Sequence, residues 1–268
     1  LDINVFLKLW KNENTNKEAI EIFWDNRAEE FNKKENFAND IVNFLLNNKM
    51  IDKNSKILDI GCGPGKYSIK FAKLCNQVVA IDISNKMLKF AEYNATKNNI
   101  YNIEFKKSFW DNIDLKENNL ENKFDLVFAS MCPGINDYET LNKMIKASKK
   151  YCFMSGFVKR DNFLWNKLNQ YLKKDNINKN IDKKIYCAFN ILYLKGYYPQ
   201  IKYINKDWEN VYPLDYLANQ YITYLEMKEK LTNKDKEKIY NYLNKVSENG
   251  YVKENINSKI AWIYWKVN

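Results

Sequence analysis

Gly61, Gly63 and Gly65 occupy alternate positions in Asp59-Ile60-Gly61-Cys62-Gly63-Pro64-Gly65, although the 268-residue chain has only 7 glycines and 4 prolines in all. Residues without side chains at this density let a backbone turn sharply and approach a ligand closely. Ile57, Leu58 and Ile60 ahead of them read as a buried strand, and Lys66-Tyr67 behind them as the start of a helix. Such a junction is a socket for a nucleotide. A second acid belongs to it: Gln77-Val78-Val79-Ala80-Ile81-Asp82 is a β-branched run ending on a carboxylate. It stands roughly 20 residues past the first glycine, where its two oxygens can accept from both hydroxyls of a ribose. Ser84 is placed to cap the helix that follows.

The glycine spacing identifies the kind of nucleotide. In the dinucleotide fingerprint Gly-x-Gly-x-x-Gly the third glycine lies inside the helix; here it comes one residue earlier and Lys66 occupies that place. The run hydrophobic-hydrophobic-Asp-hydrophobic-Gly-x-Gly-x-Gly, matched at every position over 57–65, resembles motif I of class I S-adenosylmethionine-dependent methyltransferases. Asp82-Ile83-Ser84-x-x-Met87-Leu88 is similar to the next motif region of that family. Trp24-Asp25-Asn26-Arg27-Ala28 is similar to an element that precedes the core of its small-molecule members and helps to lid the cofactor. The resemblance is specific over 56–158 and general elsewhere.

The resemblance implies S-adenosylmethionine as cofactor and S-adenosylhomocysteine as product. It places Asp59, Gly61, Cys62, Gly63, Gly65, Asp82, Ile83, Met87 and Ser130 at the cofactor. The family's acidic adenine contact is replaced here by Ser108 or Phe109, so ring contacts from Phe109 or Trp110 are expected instead. Acceptor contacts are expected from Trp24 and Arg27 on the lid, from Met131, Cys132 and Pro133 in the loop after the fourth strand, and from Tyr216 and Tyr221, with Tyr224, in a C-terminal cap.

The chemistry suits this composition. A methyl leaving a sulfonium departs from a neutral thioether, so no acid need protonate the leaving group, and the protein chiefly orients the reactants and excludes water. The chain has no histidine, which excludes a histidine base, a Ser-His-Asp triad and a histidine-ligated metal; no metal site is expected. Cys132 precedes Pro133, the reverse of the Pro-Cys order of cytosine C5 enzymes, and reads as a loop cysteine rather than a nucleophile; an Asn-Pro-Pro-Tyr loop is also absent. The residues do not distinguish O, N, S or C as the acceptor atom, and they name neither a general base nor an oligomeric state.

The net charge of +10 can mark a nucleic-acid partner. Against that, Arg27 and Arg160 are the only arginines, the lysines are spread rather than blocked, and asparagine enrichment throughout points to compositional drift. A small-molecule acceptor is therefore the main expectation. An RNA or other nucleic-acid methyltransferase is one alternative, and a non-catalytic S-adenosylmethionine-binding protein is another. Five cysteines at irregular spacing point to a reducing compartment, and no apolar run or signal-peptide pattern suggests a membrane or export, so a cytoplasmic protein is expected. The chain opens on Leu1 rather than a methionine, so a few preceding residues are expected.

The elements that must hold these groups alternate. Helical spacing over 16–32 and 37–48 precedes strands at 56–60, 77–82, 101–106, 124–130 and 151–158, with helices between them at 66–74, 84–98 and 138–147. Alternation of this kind gives parallel strands joined by crossovers. Helices at 163–172 and 186–194, a strand at 201–204, two helices within 213–249 broken near Thr232, and a strand at 258–267 follow. Residues 1–15 carry little signal beyond an apolar start. The expected fold is a doubly wound α/β domain with a mostly parallel seven-stranded sheet whose last strand is antiparallel. We take 1–268 as one domain: an N-terminal helical lid over 1–50, the cofactor-binding core over 51–158, and the C-terminal half of the sheet with its helical cap over 159–268.

Overall fold

A computed structural model of the chain describes residues 2–10, 16–33, 38–173, 183–226 and 229–267. Three helices come first, α1 (Ile3–Leu9), α2 (Lys17–Lys33) and α3 (Ala38–Asn47). The alternating part follows as β1 (Lys56–Ile60), α4 (Lys66–Ala72), β2 (Gln77–Asp82), α5 (Asn85–Lys97), β3 (Ile103–Lys107), β4 (Phe124–Ser130), α6 (Tyr138–Ala147) and β5 (Ser148–Asn162). The chain ends with α7 (Phe163–Tyr171), α8 (Lys183–Leu194), β6 (Gln200–Pro213), α9 (Leu214–Glu226), α10 (Asn233–Lys245) and β7 (Tyr251–Lys266). Phe37, expected to open the second helix, lies outside the described residues.

All seven strands form one sheet in the order β3-β2-β1-β4-β5-β7-β6. The first five are parallel, and β7 inserts antiparallel between β5 and β6. The central strands are apolar on both sides because helices cover both faces. Ile57, Val78 and Phe128 pack toward α3, α4 and α5, while Leu58, Val79 and Val127 pack toward α1, α6 and α8. Strand order reverses between β1 and β4, and ligands of such sheets collect at the carboxyl ends of the strands at that crevice.

The last three strands are longer than their sequence suggests. β4 ends where Ser130 pairs with Ser155, yet β5 runs on through 156–162, about 23 Å at ~3.3 Å per residue. β7 and β6 accompany it. Their outer segments hold Lys159, Asp161, Asn205, Asp207, Glu209, Lys253 and Asn257, which read as loop when seen singly. Pairing across strands organises them, as in the Lys253–Glu209 ion pair at 2.8 Å. The cap grows on this ribbon with a core of its own, in which Leu168 of α7, Leu217 and Leu225 of α9, Ile239 and Leu243 of α10, and Val252 of β7 are all buried. Thr232, where the break was expected, is the N-cap of α10 in a capping box with Asp235. The sequence also hides α1, which is seven residues long and is held by burial of Phe6 and by an edge-on contact of Phe6 with Tyr186 of α8.

Candidate active site

The socket is built where β1 and β2 end. Gly61 follows β1 with φ of 72°, and a Cβ there would lie 2.6 Å from Cys132 Sγ. Gly65, with φ of 80°, starts α4, and its Cβ would come within 3.0 Å of Ala91 Cβ on α5. The first glycine thus admits the loop after β4, and the third lets α4 and α5 approach. Gly63 is different: a Cβ there would meet only Met87 Sδ at 3.9 Å, so this stretch of backbone is open on one side.

Asp82 joins the two strand ends. Its Oδ2 accepts from the Gly63 N–H at 2.8 Å and its Oδ1 from the Ser84 N–H at 2.9 Å. Burial holds its carboxyl above the usual range, with Asp25 adding to the effect, while the Ser84, Gly63 and Ile83 amides work in the opposite direction. Two of its acceptor positions are used by the backbone, which leaves lone pairs for ribose hydroxyls. Asp59, one layer below, is 1% exposed and accepts from Ser68 Oγ at 2.5 Å; burial pushes its pKa up to about 7. Asp82 thus touches the open backbone of Gly63, and Asp25 and Asp59 each lie close enough to Asp82 to interact with it electrostatically, an arrangement that suits a ligand carrying positive charge. The glycine cradle, the acid at the end of β2 and this negative field all fit S-adenosylmethionine.

Helix α2 straps this cleft from one side to the other. Its first two turns are tied to the end of β3 and the turn after it by Lys107 and Glu21 at 2.6 Å and by Lys17 and Asp111 at 2.7 Å. Its middle is tied to the turn after β2, where Asp25 Oδ1 accepts from Ser84 Oγ at 2.5 Å and from the Lys86 N–H at 3.2 Å. Asn94 Nδ2 donates both to Asn32 Oδ1 at 2.7 Å and to the Pro64 carbonyl at 3.0 Å, which links α2 to the glycine loop. Glu30 reaches the cap, accepting from Tyr216 at 2.6 Å and Tyr212 at 3.0 Å.

The expected site residues separate into groups on this frame. Gly61, Cys62, Gly63, Gly65, Asp82, Ile83 and Met87 come together around the socket, and Asp59 supports it from within the sheet. Phe109 lies half-buried beside α2, with Lys17 Nζ 5.3 Å from its ring. Trp110 instead turns into the core and donates its indole N–H to the Thr140 carbonyl at 3.0 Å. Lys143 donates to the carbonyls of Trp110, Asp111 and Ile113 and so fixes this turn. Trp24 packs edge-on against Phe23 and Phe31, and Arg27 lies over the same two rings while bonding Glu30. Tyr216 joins the strap through Glu30, and Tyr224 contacts Phe23 and Trp165. Tyr221 faces the interior of the cap, bonding Glu254 at 2.6 Å. Cys132 is buried beside Gly61, and burial pushes its thiol up to about 11, so it remains neutral; Pro133 follows it on the surface.

Ser130 and Met131 border a cavity that sequence reasoning did not foresee. It has a volume of about 450 Å³ and lies between α3 and the sheet. Its floor is one transverse row of paired residues, Ser130, Ser155, Trp262 and Lys202, contributed in turn by β4, β5, β7 and β6. Ser130 Oγ bonds Ser155 Oγ at 3.0 Å and Tyr67 at 3.4 Å. Met131, at φ of 52°, takes a left-handed conformation rarely used by residues with side chains, and its N–H donates to both Ser155 Oγ and the Ser155 carbonyl. Tyr67 could have been singled out as a hydroxyl in the first turn after the glycine loop. Lys202 and Trp262 could not, because only strand register brings them beside Ser130.

A family model described as a methyltransferase domain matches residues 51–245. The chain belongs to the class I S-adenosylmethionine-dependent methyltransferases. An uncharacterized protein of Haemophilus influenzae is 26% identical over 229 residues, covering 84% of this chain and 81% of that protein. The ribosomal RNA small subunit methyltransferase G of Mesomycoplasma hyopneumoniae is 31% identical over 153 residues, 54% of this chain and 69% of that enzyme. Among solved structures, magnesium protoporphyrin IX methyltransferase of Synechocystis PCC 6803 with bound S-adenosylmethionine superposes with a TM-score of 0.51 at 12% identity, covering 94% of this chain and 99% of that one. That last likeness concerns the fold. Among the described residues no cluster could hold a metal ion, and no helix is long and apolar enough to cross a membrane.

Proposed function

We propose that this methyltransferase uses S-adenosylmethionine to methylate a small molecule. The observation that carries the reading is the strap: α2 is bonded to the ends of β2 and β3 and to the cap, and so closes the cofactor cleft on the side from which a large acceptor would otherwise reach the methyl group. When bound, S-adenosylmethionine supplies a methyl group on a sulfonium, open to in-line displacement by an acceptor atom. Asp82 holds the ribose end, with the Gly63 backbone and Ile83 beside it, and Phe109 offers a ring face to the base. Asp59 and Asp82 favour the cofactor's positive charge, while Trp24 and the rings around it keep water out. Tyr67, pushed up to about 12 by burial, stays a phenol at neutral pH and serves to position an acceptor rather than to deprotonate it. The five cysteines are all free and buried, which supports a reducing compartment and a cytoplasmic enzyme.

A second reading, methylation of RNA, is favoured by the likeness to the ribosomal RNA enzyme and by the net charge of +10. The arginines speak against it, because Arg27 lies over Phe23 and Phe31 and Arg160 over Phe157 instead of forming a basic patch. Filter binding of RNA at low and high salt separates the two readings. The small-molecule reading expects weak retention at both salts; tight retention that falls steeply with salt would favour RNA.

A further inference from the structure

The cavity between α3 and the sheet has the polarity and reach of an acceptor pocket. Its inner end is formed by Ser130 and Met131 at the carboxyl end of β4, close to the glycine loop, with Tyr67 above them. Its outer end is Lys202, whose Nζ stands 5.3 Å from the rings of both Phe44 and Trp262. The floor residues Ser130 and Lys202 lie three strand spacings apart, about 14 Å at ~4.8 Å per spacing. The side chain of Lys202 shortens that span to the length of a compact ring system.

Charge differs between the two ends. Asp40 borders the cavity from the first turn of α3, which is tied to α4, the helix of Tyr67, by the bond from Lys70 Nζ to Asn39 Oδ1 at 2.6 Å, whereas Lys202 is a cation at the outer end. An anionic group entering the cavity is turned away from Asp40 and toward Lys202. Phe44 and Trp262 pack together with ring centroids 5.4 Å apart and form one continuous aromatic wall, against which a flat or apolar body can lie. Ser130, Ser155 and Tyr67 then meet the group at the far end of the molecule with hydroxyls.

We propose that this cavity binds the methyl acceptor, and that the acceptor is a ring-bearing small molecule whose carboxylate or other anionic group pairs with Lys202 while its reacting atom lies at Ser130 and Met131. The proposal rests on the small-molecule reading and assigns its acceptor to a site on the α3 side of the sheet.

The test uses para-hydroxybenzoate, indoleacetate and anilinonaphthalenesulfonate as probes, each carboxylate paired with its neutral amide, titrated against the full chain with and without S-adenosylhomocysteine. We expect at least one anionic probe to bind, the neutral amide of a bound carboxylate to bind about five- to tenfold more weakly, Lys202→Glu to lose a similar factor, and Lys202→Arg to retain binding. S-adenosylhomocysteine should bind the wild type and both variants equally. Failure of every probe to bind wild type, or equal binding by Lys202→Glu, overturns the proposal. Failure of S-adenosylhomocysteine itself to bind would instead strike the functional reading, and the titrations without it would still decide the cavity.

Discussion

The Gly63 N–H donates to Asp82 Oδ2 at 2.8 Å, so the glycine loop after β1 and the acid ending β2 form a single bonded unit. Replacing the acid therefore removes the proposed ribose contact and loosens the loop together. Asp82→Ala is expected to weaken S-adenosylhomocysteine binding by roughly 1.5–3 kcal/mol, the range for charge-assisted hydrogen bonds, with the fold retained. Calorimetry measures it, with NAD as the control that should not bind. An unchanged dissociation constant would remove Asp82 from the site.

Asp59 is expected to make cofactor affinity depend on pH. Its pKa, raised by burial to about 7, keeps it largely protonated below that pH and ionised above it. The cofactor product carries an ammonium group, which is attracted to the ionised form, so affinity should rise as pH increases from about 6 to 8. Folding responds with the opposite sign. The folded chain holds the Asp59 proton through the interval between the unfolded value of 3.8 and about 7, and stability from this group is therefore lost as pH rises across it. In Asp59→Asn both slopes should flatten, which parallel titration and melting series would show.

The contact of Gly61 with Cys132 lends itself to a double-mutant cycle. Gly61→Ala introduces a Cβ 2.6 Å from Cys132 Sγ at a positive φ and should destabilise by about 2–3 kcal/mol. In Gly61→Ala/Cys132→Ala the overlap with Sγ is relieved, while the tight 3.1 Å contact with the Cβ at position 132 and a backbone strain of about 1 kcal/mol remain, so the double variant should be more stable than the sum of the single changes predicts. Strict additivity in denaturant melts would contradict this packing.

The socket was legible because its parts are local. Glycines with φ that other residues avoid, an acid at a strand end and a serine cap are each determined by a few neighbouring residues, and the parallel direction of the first five strands follows from alternation. Asp25 was visible within the lid motif, but its bond to Ser84 spans 59 positions and depends on where α2 settles. The row of Ser130, Ser155, Trp262 and Lys202 was not legible at all. It depends on the register of two antiparallel pairings, and a shift of one residue would turn Trp262 to the opposite face. The long ribbon was missed for a related reason, since polar residues such as Lys159 and Asn257 show their strand character only once paired.

The strap yields a dynamic prediction. Glu30→Ala removes the acceptor of the Tyr212 and Tyr216 hydroxyls, and Asp25→Ala removes the acceptor of Ser84 Oγ. Either change should speed amide exchange in α2, and together they should raise the dissociation rate of S-adenosylhomocysteine by about five- to twentyfold, equivalent to about 1–2 kcal/mol, a part of the ~1 kcal/mol that each lost bond contributes to holding the helix. Exchange in α2 that matches wild type would show that these bonds do not hold the helix over the cleft.

The most direct test of the account follows the methyl group itself. The purified chain is incubated with methyl-tritiated S-adenosylmethionine and a cell extract, and the label is then separated into small-molecule and RNA fractions. The account predicts label in the small-molecule fraction that is lost with Asp82→Ala. Label recovered in RNA, with none in small molecules, would contradict it.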